Sequence, residues 1–263
     1  MNHKIAYILA LLIIATNLPA QVNESINKAD RNGKKQGHWI KKYPNGHTLY
    51  DGYFKDDQPT GILKRFFEND TLRSILAFSS DGYSADASIF HQNGYIASKG
   101  RFVNQLKEGK WLFYSSKIEG YLICEEEYQN NLKNGPSYKY YPDKTLAEKL
   151  NFSKDVRNGE WFQYFPNGNI FLKASYINGK LQGEFAVFFA DGKPQYAGQY
   201  KNDLRDGLWN IYNSDGTLKY SVEYVSGKAT NAELAKQESD YLDSLEKNKG
   251  KLSDPEKTGT IWE

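Results

Sequence analysis

This 263-residue chain has one cysteine, one methionine and four histidines. A lone cysteine, Cys124, excludes an internal disulfide; its setting, Tyr121-Leu122-Ile123-Cys124-Glu125, suits a small residue on a strand. His3, His38, His47 and His91 are scattered, with no glutamate or cysteine at ligand spacing, so no metal site is expected. No CxxC pair, paired-histidine helix, phosphate-binding glycine loop or nucleophile elbow occurs, and neither catalysis nor a cofactor is expected. Charge of one sign is also lacking: 34 basic residues face 32 acidic ones, interspersed. Nucleic acid, which needs a clustered basic face, is therefore not an expected partner. Residues 5–15 form an apolar run shorter than the ~20 residues that span a bilayer. With Lys4 before it and Leu18-Pro19-Ala20 after it, the run reads as a signal peptide over residues 1–20, cleaved near Ala20. That predicts export to the periplasm, the outer surface or the medium, without a lipid anchor, because Gln21 and not a cysteine stands directly after the cut.

Tyrosine (20) and phenylalanine (14) are abundant, and both pack well across strands. Glycines Gly135, Gly159, Gly183 and Gly207 recur every 24 residues, each opening an aromatic segment such as Gly159-Glu160-Trp161-Phe162-Gln163-Tyr164-Phe165. Gly37, Gly61 and Gly109 fit the series with small slips. A fixed period of this kind marks a repeat array. Eight hairpin units are predicted over residues 36–228, starting near Gly37, Gly61, Tyr83, Gly109, Gly135, Gly159, Gly183 and Gly207. The third lacks the leading glycine, and the third and fourth look lengthened by about two residues. The turns carry residues that tolerate positive φ, as in Asn45-Gly46, Asn93-Gly94, Asn167-Gly168, Asp191-Gly192 and Asp215-Gly216. Asn69-Asp70 and Asp143-Lys144 predict less sharply specified hairpins in units two and five.

Each link between units carries one aliphatic residue (Leu106, Leu132, Val156, Leu181, Leu204), read as a plug over the sheet's apolar edge, and then the next turn glycine. The second strands alternate. Ile170, Leu172, Ala174 and Tyr176 oppose Phe171, Lys173 and Ser175, and Leu146, Leu150 and Phe152 oppose Ala147, Lys149 and Asn151. The first strands bear aromatics on both faces, predicting an aromatic column on each side, at least one partly exposed. Residues 21–35 read as a polar lead-in. Thr230-Asn231-Ala232-Glu233 has capping-box form, and Leu234, Tyr241, Leu242 and Leu245 follow at helical spacing. A helix over residues 229–247 is predicted to shield the edge of the last hairpin, with a charged, disordered tail at 248–263.

The unit Gly-x-Trp-x-x-Tyr, then Asn-Gly, then a strand ending Tyr-x-Asn-Gly resembles the MORN-repeat variant. It is seen in Gly159 to Gly168 and in Tyr176-Ile177-Asn178-Gly179. The motif occurs in bacterial proteins labelled YwqK-type antitoxins. The resemblance implies an all-β, elongated, single-layer antiparallel meander and an interaction scaffold. It also implies two other roles: peripheral membrane or lipid binding, and an antitoxin-like protein that neutralises a partner.

Trp39, Trp111, Trp161 and Trp209 hold one repeat position, two after the glycine. They read either as a stacking face for a peptide or glycan or as a packing ladder; Phe185 and Leu63 in the same slot favour the ladder. Glu125-Glu126-Glu127 reads as a solvated strand edge, since only Glu125 and Glu127 share a face. The open strand near Gly37 is a candidate docking edge. The expectation is a non-enzymatic, exported scaffold binding a protein, or a glycan, at the envelope.

Overall fold

A computed structural model describes residues 25–247 of the chain, and side chains as far as residue 240. The expected signal peptide and charged tail lie outside the described residues, as do the side chains of Tyr241, Leu242 and Leu245. A short strand β1 (Lys28–Ala29) precedes eight hairpins. These are β2 (Lys35–Lys42) with β3 (Thr48–Lys55), β4 (Gln58–Phe66) with β5 (Leu72–Phe78), and β6 (Ser84–Phe90) with β7 (Ile96–Val103). Next come β8 (Leu106–Tyr114) with β9 (Leu122–Gln129), β10 (Leu132–Tyr140) with β11 (Leu146–Ser153), and β12 (Val156–Tyr164) with β13 (Ile170–Ile177). The seventh divides its first strand into β14 (Lys180–Leu181) and β15 (Gly183–Phe188), opposite β16 (Pro194–Lys201). The eighth is β17 (Leu204–Tyr212) with β18 (Leu218–Val225); β19 (Lys228–Ala229) and helix α1 (Ala232–Lys247) follow. Each strand pairs antiparallel with its sequence neighbour, giving one open meander as predicted.

Two turn types alternate, and they divide the work differently from the sequence reading. Within every unit but the fourth the loop has three residues, as where Phe165 N–H reaches the Asn169 carbonyl (2.8 Å) and Gly168, at φ 85°, donates to the Phe165 carbonyl (2.9 Å). Asp70 and Lys144 take the glycine's positive φ (61° and 73°) and keep the same bonds, so units two and five are as well turned as the others. The tight two-residue turns lie in the links. Asn104-Gln105, Asn130-Asn131, Lys154-Asp155 and Asn202-Asp203 have positive φ at both residues, the type I′ geometry that matches strand twist.

The head glycines are not turn glycines. Each lies inside the first strand at positive φ, from 60° at Gly61 to 124° at Gly135, and there the pairing with the previous unit slips. This is a repeated β-bulge, and glycine takes the left-handed conformation without steric cost. In unit three Ala85 fills the slot, has no positive φ, and β5 pairs β6 without a slip. Counted from Ala85 the third unit has the ordinary 24-residue period to Gly109. Only the fourth unit is lengthened, at the loop between β8 and β9.

A second bulge in every second strand shifts the expected alternation. Ala147 is therefore buried, and Ile170 is exposed although Leu172, Ala174 and Tyr176 are buried as predicted. The aliphatic residues of the links are not buried plugs. Leu106, Leu132, Val156 and Leu204 start their strands largely exposed, Val156 against Gly179 and Leu204 against Gly227 of the next turn.

The two faces differ. The outer face carries cross-strand ion pairs, Lys149–Glu160 (3.6 Å) and Lys173–Glu184 (3.4 Å), with Phe162 and Tyr164 stacked among them (6.3 Å). The inner face carries the core. Trp111 and Trp209 are fully buried there, and their indoles lie over Gly100 and Gly198 on the strand before. Those glycines have ordinary φ; a Cβ on either would sit 2.2 Å from the indole Cδ2. Glycine is needed here for space, and the bulk of tryptophan fills what it leaves.

Both ends of the meander are covered. At the first, Asn27 donates its N–H to the His38 carbonyl (2.8 Å) and accepts from Ile40 N–H through Oδ1 (2.9 Å), and β1 completes the edge. The edge near Gly37 is thus occupied by the lead-in rather than open. At the far end β19 covers β18, while α1 lies on the inner face, placing Leu234 against the core cluster of Tyr196, Trp209, Ile211, Val222 and Tyr224. Asn231, not Thr230, caps the helix, accepting from Glu233 N–H (3.0 Å) and Leu234 N–H (3.1 Å); Thr230 instead bonds Glu223.

Candidate functional site

The inner face has a repeated composition that the aromatic period conceals. Two residues before the head glycine stands a cation: Lys35, Lys107, Lys133, Arg157 and Arg205. The spacing to glycine is visible in sequence, but the stronger aromatic period masks it. The next link turn fixes each backbone. Asn131 N–H donates to the Lys107 carbonyl (2.9 Å), Asp155 to Lys133 (2.9 Å), Gly179 to Arg157 (2.8 Å) and Gly227 to Arg205 (2.9 Å). The side chains are thereby laid over the aromatic column. Lys107 Nζ is 5.0 Å from the Trp111 ring centre and 4.6 Å from Tyr128, and Arg205 Cζ is 5.1 Å from Trp209 and 5.2 Å from Tyr224. Such stacking favours the cation electrostatically. Burial lowers the Lys107 amine from its ordinary range, against the pull of Glu126.

Two of these cations hold a buried carboxylate. Glu126, between two exposed-facing glutamates, points inward, accepts from Tyr128 O–H (2.6 Å) and is paired with Lys133. It is buried, so the solvated-edge reading fails for this member of the glutamate run. The other carboxylate comes from α1. Glu238, 1% exposed, accepts from Tyr196 O–H (2.5 Å), Arg205 Nη1 (2.9 Å) and Tyr224 O–H. Burial and the hydrogen bond to Glu238 push the Tyr196 phenol well above its usual range. Burial alone would lower Arg205, but Tyr196 and Glu238 outweigh it and raise it. Three donors satisfy this buried carboxylate, as burial of such a group requires.

Of the proposed stacking residues, Trp111 and Trp209 offer no ring face to a ligand because they are wholly buried. Trp39 and Trp161 are half-buried, with Trp39 Nε1 donating to the Lys28 carbonyl (3.0 Å) and Trp161 Nε1 to Glu148 (3.3 Å). The four do not form one surface platform. An open hollow of about 510 Å³ does occur where unit three breaks the pattern, lined by Pro59, Leu76, Phe78, Tyr83, Ala85 and Phe102 among others. In this unit Ala87 holds the slot that is tryptophan, phenylalanine or leucine in every other unit but the fifth, where it is Ser137. The hollow's remaining lining is Gln58, Gly82, Asn104 and Gln105, so its polar groups are amides and the Tyr83 hydroxyl.

Residues 157–178 and 181–202 match the family model of the MORN repeat variant. The matches begin at Arg157 and Leu181, the slot two before the glycine and one 24-residue step apart, and cover 22 residues each. Among curated proteins nothing matches. Among solved structures the chain is similar to one in "Crystal Structure of TcdB2-TccC3", at 12% identity, covering 76% of this chain and 12% of that one, with a TM-score of 0.21.

Proposed function

We propose that this protein is a non-enzymatic, exported repeat scaffold that binds a protein, or a glycan, through its inner face at the cell envelope. The observation that carries the reading is the use the chain itself makes of that face: α1 is held against it by Leu234 and by Glu238 on Arg205 and two tyrosines. A face that seats one helix by an apolar contact and a buried carboxylate has the chemistry to seat others. Five cations recur along it, each over aromatic rings, and two of them also hold a buried carboxylate. Export rests on Lys4, the apolar run 5–15 and Ala20, and it predicts a mature chain beginning at Gln21.

Photo-cross-linkers placed in living cells test the binding face. Inner-face sites at Tyr83 and Leu181 should yield adducts with a partner, and outer-face sites at Glu160 and Glu184 should not. Adducts from the outer sites alone, or from none, would overturn the reading.

A further inference from the structure

Arg157 and Arg205 hold the same slot two units apart, in Arg157-Asn158-Gly159-Glu160-Trp161 and Arg205-Asp206-Gly207-Leu208-Trp209. Their surroundings repeat. Arg205 Nη1 is 2.9 Å from the Tyr224 hydroxyl, and Arg157 Nη1 is 3.1 Å from that of Tyr176. The guanidinium carbons lie 5.2 Å and 5.4 Å from the two tyrosine rings. Gly207 pairs Tyr224, and Gly159 pairs Tyr176. Both arginine carbonyls accept from the following link turn.

One element is missing from the earlier copy. On Arg205 and Tyr224 sits Glu238 of α1; among the described residues, no carboxylate sits on Arg157 and Tyr176. One unit further back, Lys133 lies over Phe152, which has no hydroxyl, and is paired with Glu126. The exposures follow. Arg205 is half-buried over a sealed Trp209, whereas Arg157 is exposed over Tyr176, whose ring packs 5.6 Å from a half-buried Trp161. Glu148 stands where Tyr196 stands in the later copy, and its charge is already taken by Lys139 (3.2 Å), Gln163 (3.0 Å) and Trp161 (3.3 Å). It therefore leaves Arg157 uncompensated.

We infer that Arg157 and Tyr176, with Trp161 packed beside the tyrosine, form an open seat for a glutamate or aspartate on a helix of a partner protein. The inference rests on the scaffold reading above and names the partner's chemistry: an acidic amphipathic helix, for which the chain's own α1 on Arg205 is the pattern. A carboxylate there would accept from the guanidinium and the phenol, as Glu238 does, and the apolar side of the helix would cover the Trp161 ring.

A labelled synthetic peptide of residues 229–247, titrated into the full-length protein, tests this by fluorescence anisotropy. In the full chain the Arg205 seat is already filled by Glu238. The seat predicts saturable binding that Arg157→Gln weakens at least about tenfold, the loss of one charge-assisted bond. Tyr176→Phe, which keeps the ring, and Glu238→Gln in the peptide should each weaken it several-fold. Circular dichroism checks that the exposed Arg157→Gln leaves the fold intact. Absence of saturable binding, or binding indifferent to Arg157→Gln, overturns the seat. So does Arg157-dependent sedimentation with phosphatidylserine-containing vesicles in place of peptide binding. If the seat fails while inner-face cross-links to a partner persist, the scaffold reading stands; loss of both removes it.

Discussion

The Trp111 indole lies flat over Gly100 on the neighbouring strand, so closely that a Cβ there would meet Cδ2 at 2.2 Å. The same pairing holds Trp209 over Gly198. Bulk and absence of bulk are matched across a strand boundary, and the match sets how closely one unit packs on the next. Gly100→Ala should therefore cost about 1–3 kcal/mol, the range for overpacking a filled site. Urea denaturation followed by tryptophan fluorescence measures the loss, and an unchanged midpoint would mean that Trp111 can yield.

The head glycines fail differently when replaced. Gly207 has φ +74°, and a Cβ added there would have no neighbour within 4 Å, so Gly207→Ala bears only the left-handed backbone cost. That is about 1–2 kcal/mol for a residue with a Cβ. Gly207→Asn should recover part of it, since asparagine tolerates this region, whereas no substitution of that kind should rescue Gly198. Comparing the three variants by thermal melts separates conformation from space.

Asn231 caps α1 through its side-chain oxygen, and Thr230 does not. Asn231→Ala should cost the helix about 1 kcal/mol. Thr230→Ala should have the smaller effect on helix content. Circular dichroism at 222 nm and amide exchange in residues 232–247 report the order, which reverses if threonine is the cap.

High pH should weaken the fold. Burial pushes the Cys124 thiol up to about 12 from 9.0, and burial with Glu125 nearby moves the Tyr140 phenol to about 12 from 10.0. Both stay protonated in the folded chain while the unfolded chain ionises, so the folded state binds more protons. Stability is then complete below about pH 9 and falls as pH rises towards 12, by up to about 1.4 kcal/mol per pH unit for each group. Denaturation midpoints at pH 8, 10 and 11 should decline, and Cys124 should react with a thiol reagent only after unfolding. A midpoint that holds to pH 11 would refute the assignment.

The eight hairpins and their one-sheet order were legible because glycine and aromatic residues recur at a fixed spacing. The bulges were not, since a glycine that opens a strand and one that kinks it leave the same trace in sequence. The kink decides which neighbours face inward, which is why Ala147 and Ile170 exchanged expected environments. Likewise, the tryptophan slot was read in favour of a packing ladder, but the complete burial of Trp111 and Trp209 was not legible, because it depends on Gly100 and Gly198 in the unit before. Glu238 was hidden for another reason. A glutamate on a polar helix reads as solvated until Arg205 and the tyrosines that hold it are placed beside it.

Cation–tyrosine seats on the inner face are held to receive acidic helices, and Glu238 on Arg205 is the case in which seat and helix belong to one chain. Amide hydrogen exchange of α1 in the Glu238→Gln variant measures this most directly. The glutamine keeps the shape and loses the charge that Arg205 and two tyrosines recognise. Residues 232–240 should lose their protection, and Trp209 should become open to acrylamide quenching. Protection and quenching like those of the unaltered chain would show that apolar packing alone holds the helix, and would contradict the claim.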